Sequence, residues 1–219
     1  CVIVNEYYNH SLGALPSPAM VKDLLITGAA LVPGQAYPGT AQGWGRVDVA
    51  NALLNTTNRK IWSEDQRYDL LTGVARTYLV NVTKAAEMRI SLAWTDFCGT
   101  VNAAKALVNN LDLEVTLPNG TTILGNVFSN GWSVPNGTAD SVNNVEMVRF
   151  QAAQVGKWRI DVRAKNVPRY TQDYALVGGG PFDNVTVARV DLAATNLTID
   201  PADPAEGDRV SMHADIGNV

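Results

Sequence analysis

The chain has 219 residues, 46% of them hydrophobic and 17% charged, with a net charge of −4 and a pI of about 5.1. That is ordinary globular composition, long enough for one large domain or two small ones. The acidic balance excludes a nucleic-acid partner, because such binding rests on Lys and Arg neutralising phosphates. No apolar run approaches the roughly 18 residues needed for a membrane span.

The opening "CVIVNEYYNH" reads as a packed helix, with Val2, Ile3 and Tyr7 apolar. A lipid-modified Cys1 is the alternative, but a tether should be polar and flexible. In "LPSPAMVKDLLITGAA", Ser17 is placed to cap a helix that starts at Pro18. Met20, Val21, Leu24 and Leu25 form its apolar face, and Gly28 is its expected stop. A Gly/Pro-rich loop covers 33–45. In "GWGRVDVANALL", Gly43 and Gly45 admit backbone angles that a β-carbon forbids. Trp44 offers a large apolar surface there, and Asp48 caps a short helix carrying Val49, Ala50, Leu53 and Leu54.

From about residue 66 the period changes to two. Met88, Ile90, Leu92 and Trp94 share one face. So do Leu111, Leu113, Val115 and Leu117, and Trp158, Ile160 and Val162. Further strands fit near 68–72, 76–83, 121–125, 145–150 and 172–178, bounded by turns such as Pro118-Asn119-Gly120. Short alternating strands with no helices between them predict an antiparallel β-sandwich of jelly-roll type. Residues 184–219 add β-like stretches around a Pro/Asp cluster and read as the opening of another β-domain. The apolar opening at Cys1 and the strand-like ending "ADIGNV" together suggest a segment of a longer chain.

Chemistry is sparse. A Ser-His-Asp triad needs a base beside its nucleophile. The two histidines, His10 and His213, stand at opposite ends, and neither lies in a catalytic motif. No catalytic residue is assigned. Cys1 and Cys98 form no CxxC pair; a disulfide between them and two free thiols both stay open. Hard cations want six to eight oxygens. "WTDFCGTVNAAKALVNNLDLEVTLPNG" supplies Asp96, Asn102, Asn109, Asn110, Asp112 and Asn119 around a long loop, and Asp140, Asn143, Asn144 and Glu146 form a second oxygen-rich cluster. The competing reading is that these side chains cap turns. Asn-x-Ser/Thr acceptors stand at Asn9, Asn55, Asn81, Asn119, Asn136, Asn184 and Asn196, where chance gives about two. That excess favours an extracellular location. Trp94 and Trp158 fall on core faces, whereas Trp62 and Trp132 have polar neighbours.

"PSPAMVKDLLITGA", "GWGRVDVANALL", "RISLAWTD", "LVNNLDLEVTLPNG", "NNVEMV" and "QDYALVGGG" occur in this order. Together they resemble the C-terminal part of subtilisin-like serine proteases (subtilases), in the branch where a sandwich similar to the convertase P-domain follows the catalytic domain. The resemblance covers about residues 1–180. The tail from Val190 more loosely resembles the start of an immunoglobulin-like adhesion module.

The resemblance implies three zones. Residues 1–60 would be the helical tail end of an α/β catalytic domain, 61–183 the antiparallel sandwich, and 184–219 the start of an immunoglobulin-like domain. It implies a catalytic triad upstream, the subtilase Gly-Thr-Ser being absent here: every Gly-Thr continues with Ala, Val or Thr. The chain alone would be inactive. Its partners would be the parent's catalytic domain and, through the parent, protein or peptide substrates. Structural calcium is implied at the strand pair bearing Asp96, Asn109, Asn110 and Asp112, although the usual Asn-Asp-Leu-Asp reads Asn109-Asn110-Leu111-Asp112 here. The alternative is a stand-alone extracellular binding or adhesion module.

Overall fold

The computed structural model describes residues 1–188, 192–200 and 211–218; side chains of 67–69 and 189–219 lie outside the description. The sequence forms three helices, α1 (Val2–Leu12), α2 (Pro18–Gly28) and α3 (Val49–Leu53), and then strands alone. These are β1 (Lys60–Leu70), β2 (Ala75–Val82), β3 (Met88–Ala93), β4 (Asn110–Thr116), β5 (Thr122–Leu124), β6 (Phe128–Ser129) and β7 (Trp132–Ser133). They continue with β8 (Val145–Phe150), β9 (Gly156–Asn166), β10 (Gln172–Gly180), β11 (Phe182–Ala188), β12 (Leu192–Asp200) and β13 (Ser211–Asn218).

Residues 1–187 form one compact unit and 188–219 another. In the first, β1-β10-β3-β8 make a four-stranded antiparallel sheet. The order β11-β2-β9-β4-β5 makes a five-stranded one, antiparallel from β2 through β5. β6 and β7 pair as a small ribbon. One hydrophobic cluster takes Ile90, Leu92, Trp94, Val148 and Leu176 from the first sheet and Tyr78, Val80, Leu113, Trp158 and Ile160 from the second. The two sheets therefore pack face to face, as their period-two patterns require. Within this core the Tyr78 and Tyr174 hydroxyls bond to each other at 2.6 Å, which satisfies two polar groups that burial would otherwise penalise.

The helices roof the other face of the four-stranded sheet. Val4, Tyr8, Met20, Leu24, Ala52 and Leu53 form a second cluster with Ala175 and Val177 of β10. β3 is consequently buried along its whole length, Arg89, Ser91 and Ala93 included, where alternation alone marks only one face as inside.

Sequence signals explain the helical roof. The Ser17 Oγ accepts from the Met20 N–H at 3.0 Å and donates to Asp65 Oδ1 at 2.5 Å. Ser17→Ala is expected to cost about 1 kcal/mol in urea denaturation, the usual value of an N-cap. Gly28 is the last residue of α2 rather than a left-handed cap, and its role is clearance. A β-carbon there would stand 2.5 Å from Ala52 Cα, so glycine lets α3 lie directly on α2. Asp48 caps α3 through the Asn51 N–H at 2.9 Å. Gly43 and Gly45 have φ of +56° and +114°. Trp44 is half-buried, with its ring against Tyr37 and Phe128 at centroid distances of 6.0 and 6.5 Å.

β1 begins at Lys60, earlier than the predicted strand near 68–72. Its polar residues hide it because they serve the roof. Ser63 bonds the Tyr8 hydroxyl at 2.6 Å, and Asp65 accepts the Ser17 N–H at 2.7 Å. β11 crosses residue 184, the start of the expected third zone, and joins the five-stranded sheet. Beyond it, β12 and β13 pair antiparallel. The tail's expected side-chain features, Asn196 and His213 among them, lie outside the described residues. No described helix is long and apolar enough to cross a membrane.

Candidate functional site

At one end of the sheets the chain leaves β3 and loops back to β4, and Asp96 holds that loop. Its Oδ1 accepts the Phe97 and Asn109 N–H groups and its Oδ2 the Val108 N–H, each at 2.8 Å. Asn109 continues the clasp. Its Nδ2 donates to Arg169 O at 2.9 Å and Gln172 Oε1 at 3.0 Å, and its Oδ1 accepts the Arg169 N–H at 3.2 Å. The Trp94 indole donates to Asn109 O at 3.0 Å. Asp96 and Asn109 thus do the turn-holding work that was the competing reading.

Asn110 and Asp112 sit together further along β4. Asn110 Nδ2 donates to Asp112 Oδ1 at 3.1 Å, while Asn110 Oδ1 is buried without a partner. Burial raises the Asp112 carboxyl above its ordinary value, against the opposing charge of Lys165. Across from β4, Glu146 on β8 is 1% exposed. Its Oε2 accepts the Leu113 N–H at 2.7 Å and its Oε1 has no partner. Burial pushes this carboxyl up to about 9, and Asp112, Asp140 and Glu114 add to the shift by repulsion. Glu146 is therefore a neutral acid at pH 7.

Asp140 differs. It accepts from Val142 N, Asn143 N, Asn143 Nδ2 and Asn126 Nδ2 at 2.6–3.1 Å, and these bonds outweigh burial and hold its carboxyl below the usual value. Asn144 donates to Trp94 O at 3.0 Å and accepts from Lys22 Nζ at 2.9 Å.

Of the four residues expected to bind calcium, Asp96 and Asn109 are engaged in holding the loop, and Asn110 leaves its buried Oδ1 open beside Asp112. Among the described residues no group of three or more His, Cys, Asp or Glu is placed to hold a metal ion.

Beside the clasp lies a groove of about 590 Å³ between the α2 start and the 169–174 segment. Phe97 and Tyr170 stand on its rim with ring centroids 5.6 Å apart, and Tyr170 is 80% exposed at a φ of +54°. Gln66, buried in its wall, has an unpartnered Oε1. Sequence patterning passes over these residues because isolated aromatics in loops carry no period. Trp62 and Trp132 are half-buried. Trp62 packs edge-on to Tyr78 at 5.2 Å, and the Arg149 guanidinium lies 3.9 Å over Trp132.

His10 lies in the last turn of α1. Cys1 and Cys98 are exposed and free. Of the acceptor asparagines, Asn9, Asn55, Asn119, Asn136 and Asn184 are exposed and Asn81 is half-buried. Asn119 and Asn136 occupy turns: Asn119 Oδ1 accepts the Thr121 N–H at 3.0 Å, and Asn136 has a φ of +63°.

No family model matches the chain. It is 29% identical to a Serine protease/ABC transporter B family protein, tagA, of Dictyostelium discoideum, over 80% of this chain and 11% of that protein. The chain is protease-related. It spans about a tenth of the length of that relative. Among solved structures it is similar to a serine protease of Aeromonas sobria at 12% identity, over 79% of this chain and 41% of that one, with a TM-score of 0.26.

Proposed function

We propose that this chain is the non-catalytic C-terminal portion of a secreted subtilisin-like serine endopeptidase. In this reading residues 1–60 complete the parent's catalytic domain, and the sandwich of 61–183 docks on that domain, stabilises it and shapes substrate access. One observation carries it. Val4 and Tyr8 of α1 are buried on the roof, while Val2, Ile3 and Leu12 are 79%, 63% and 65% exposed on the same short helix, with Leu15 just beyond at 61%. Exposed apolar side chains grouped at the two ends of one short helix and just beyond it mark a surface that a larger body covers. The protease relative supports the choice of parent.

The test is to join the chain to the sequence encoded upstream of it. The joined protein should contain a Gly-Thr-Ser nucleophile motif, hydrolyse casein and take up a fluorophosphonate label, while the 219-residue chain does neither. An upstream sequence without a subtilase serine, or hydrolysis by the chain alone, would remove the proposal.

Calcium enters this reading at Asn110 and Asp112, where the buried Asn110 Oδ1 stays open. A cation there would be bound by the folded chain only, so the melting temperature should rise by several degrees with excess calcium and fall back with chelator. Superimposable melting curves would retire the ion.

A second reading rests on the Phe97–Tyr170 groove: an extracellular module that binds a carbohydrate or a protein. Aromatic faces beside an unpaired buried acceptor suit a ligand rich in hydroxyl donors. A glycan array probed with the whole chain separates the readings. Saturable binding lost in Tyr170→Ala favours the module, and a blank array discards it.

A further inference from the structure

The other end of the roof carries a cluster that neither reading uses. Two guanidiniums, Arg89 and Arg149, bond Glu87, and a third, Arg59, lines the same cleft. Glu87 Oε1 accepts both Arg89 Nε at 2.7 Å and Arg149 Nε at 3.0 Å. Arg149 has further partners, since its guanidinium lies over Tyr37 and Trp132. Arg89 Nη1 donates to Thr27 O and Ala29 O, carbonyls at the end of α2, at 3.2 and 2.6 Å. Arg59 is left short. Its Nη1 donates to Asn51 O, and its Nη2 is buried with no acceptor.

Burial, then the like charge of Arg89, depresses the Arg59 guanidinium to about 10, with Glu87 and Asp48 opposing the shift. Asp48 is occupied with the α3 cap. A buried guanidinium N–H without an acceptor is costly, and an anion is what relieves it.

A cleft of about 120 Å³ opens at this point, lined by Asn51, Arg59, Glu87, Arg89 and Gly179. A β-carbon at Gly179 would stand 2.3 Å from Arg59 Nη2, so the glycine lets the guanidinium lie flat on β10. The cleft has room for one small oxyanion and none for a sugar ring or a nucleotide.

We propose that this cleft binds a single oxyanion, inorganic phosphate or the carboxylate of a polypeptide, between Arg59 and Arg89. Guanidinium forks suit both through paired N–H···O bonds.

The test is thermal melting of the whole chain at pH 7 in sodium phosphate, sodium acetate or sodium chloride at matched ionic strength. Phosphate, acetate or both should raise the melting temperature over chloride by roughly 3–6 °C at a tenfold excess over Kd. Arg59→Gln should abolish that difference, while Arg163→Gln on the far sheet keeps it. A response to phosphate alone marks an inorganic ion, and a response to acetate marks a carboxylate. Equal melting in all three salts, or a shift that survives Arg59→Gln, overturns the proposal. Should Arg59→Gln not fold, titration calorimetry of the unsubstituted chain decides: one phosphate or acetate taken up saturably sustains the site, and no saturable heat with either ends it.

Discussion

Trp94→Ala is expected to cost about 3–5 kcal/mol, the range for truncating a fully buried aromatic. Trp94 is 1% exposed, at the end of β3 in the cluster shared by both sheets. Its indole N–H is bonded to Asn109 O, so truncation opens a cavity and also strips a donor from the clasp that starts β4. Trp94→Phe separates the two contributions. It keeps most of the volume, loses the hydrogen bond, and should cost about 1–2 kcal/mol. Urea denaturation of both variants measures this. A loss under 1 kcal/mol for Trp94→Ala would mean that this corner is not packed as described.

Glu146→Gln is expected to make the chain more stable at neutral and alkaline pH. Folding raises the Glu146 carboxyl from 4.5 to about 9, so the folded chain keeps a proton that the unfolded chain releases. A raised acid favours the folded state fully below pH 4.5. That contribution is lost as pH rises towards 9, at roughly 1.4 kcal/mol per pH unit for one proton. Above about 9 the folded chain ionises as well and the slope ends. The amide has no proton to lose, so the variant should match the parent near pH 4 and exceed it increasingly from pH 6. Urea denaturation across pH 4–9, with chelator present, tests this. Parallel losses in both proteins would clear Glu146 of the effect. Asp23, fully buried under α2 with its carboxyl also raised by burial, adds a slope of the same sign, and Asp23→Asn should flatten it separately.

The two-residue period of β3, β4 and β9 was readable because their core faces are strictly apolar. Met88, Ile90, Leu92, Trp94, Leu111, Leu113, Val115, Trp158, Ile160 and Val162 all enter one cluster. The capped helices were readable for the same local reason: Ser17 and Asp48 act on N–H groups three residues away. The third layer was not readable. A helix roof buries Arg89 and Ser91, and it uses Ser63 and Asp65 as polar anchors, so the strand that receives it loses its alternation. The candidate metal residues were legible as oxygen donors, but their division was not. Which of two neighbouring asparagines is saturated depends on Arg169 and Gln172, about 60 residues away in sequence.

The roof also limits how this stretch of polypeptide can be inherited. Ile61, Ala175 and Val177 meet the helices on one side of the sheet whose other side is the shared core. A recombination event that moved residues 61–183 into a new gene without the helices would leave an apolar face bare and remove the two hydrogen bonds that Ser17 donates to Asp65. Any transplant of the sandwich therefore has to carry the helices that roof it.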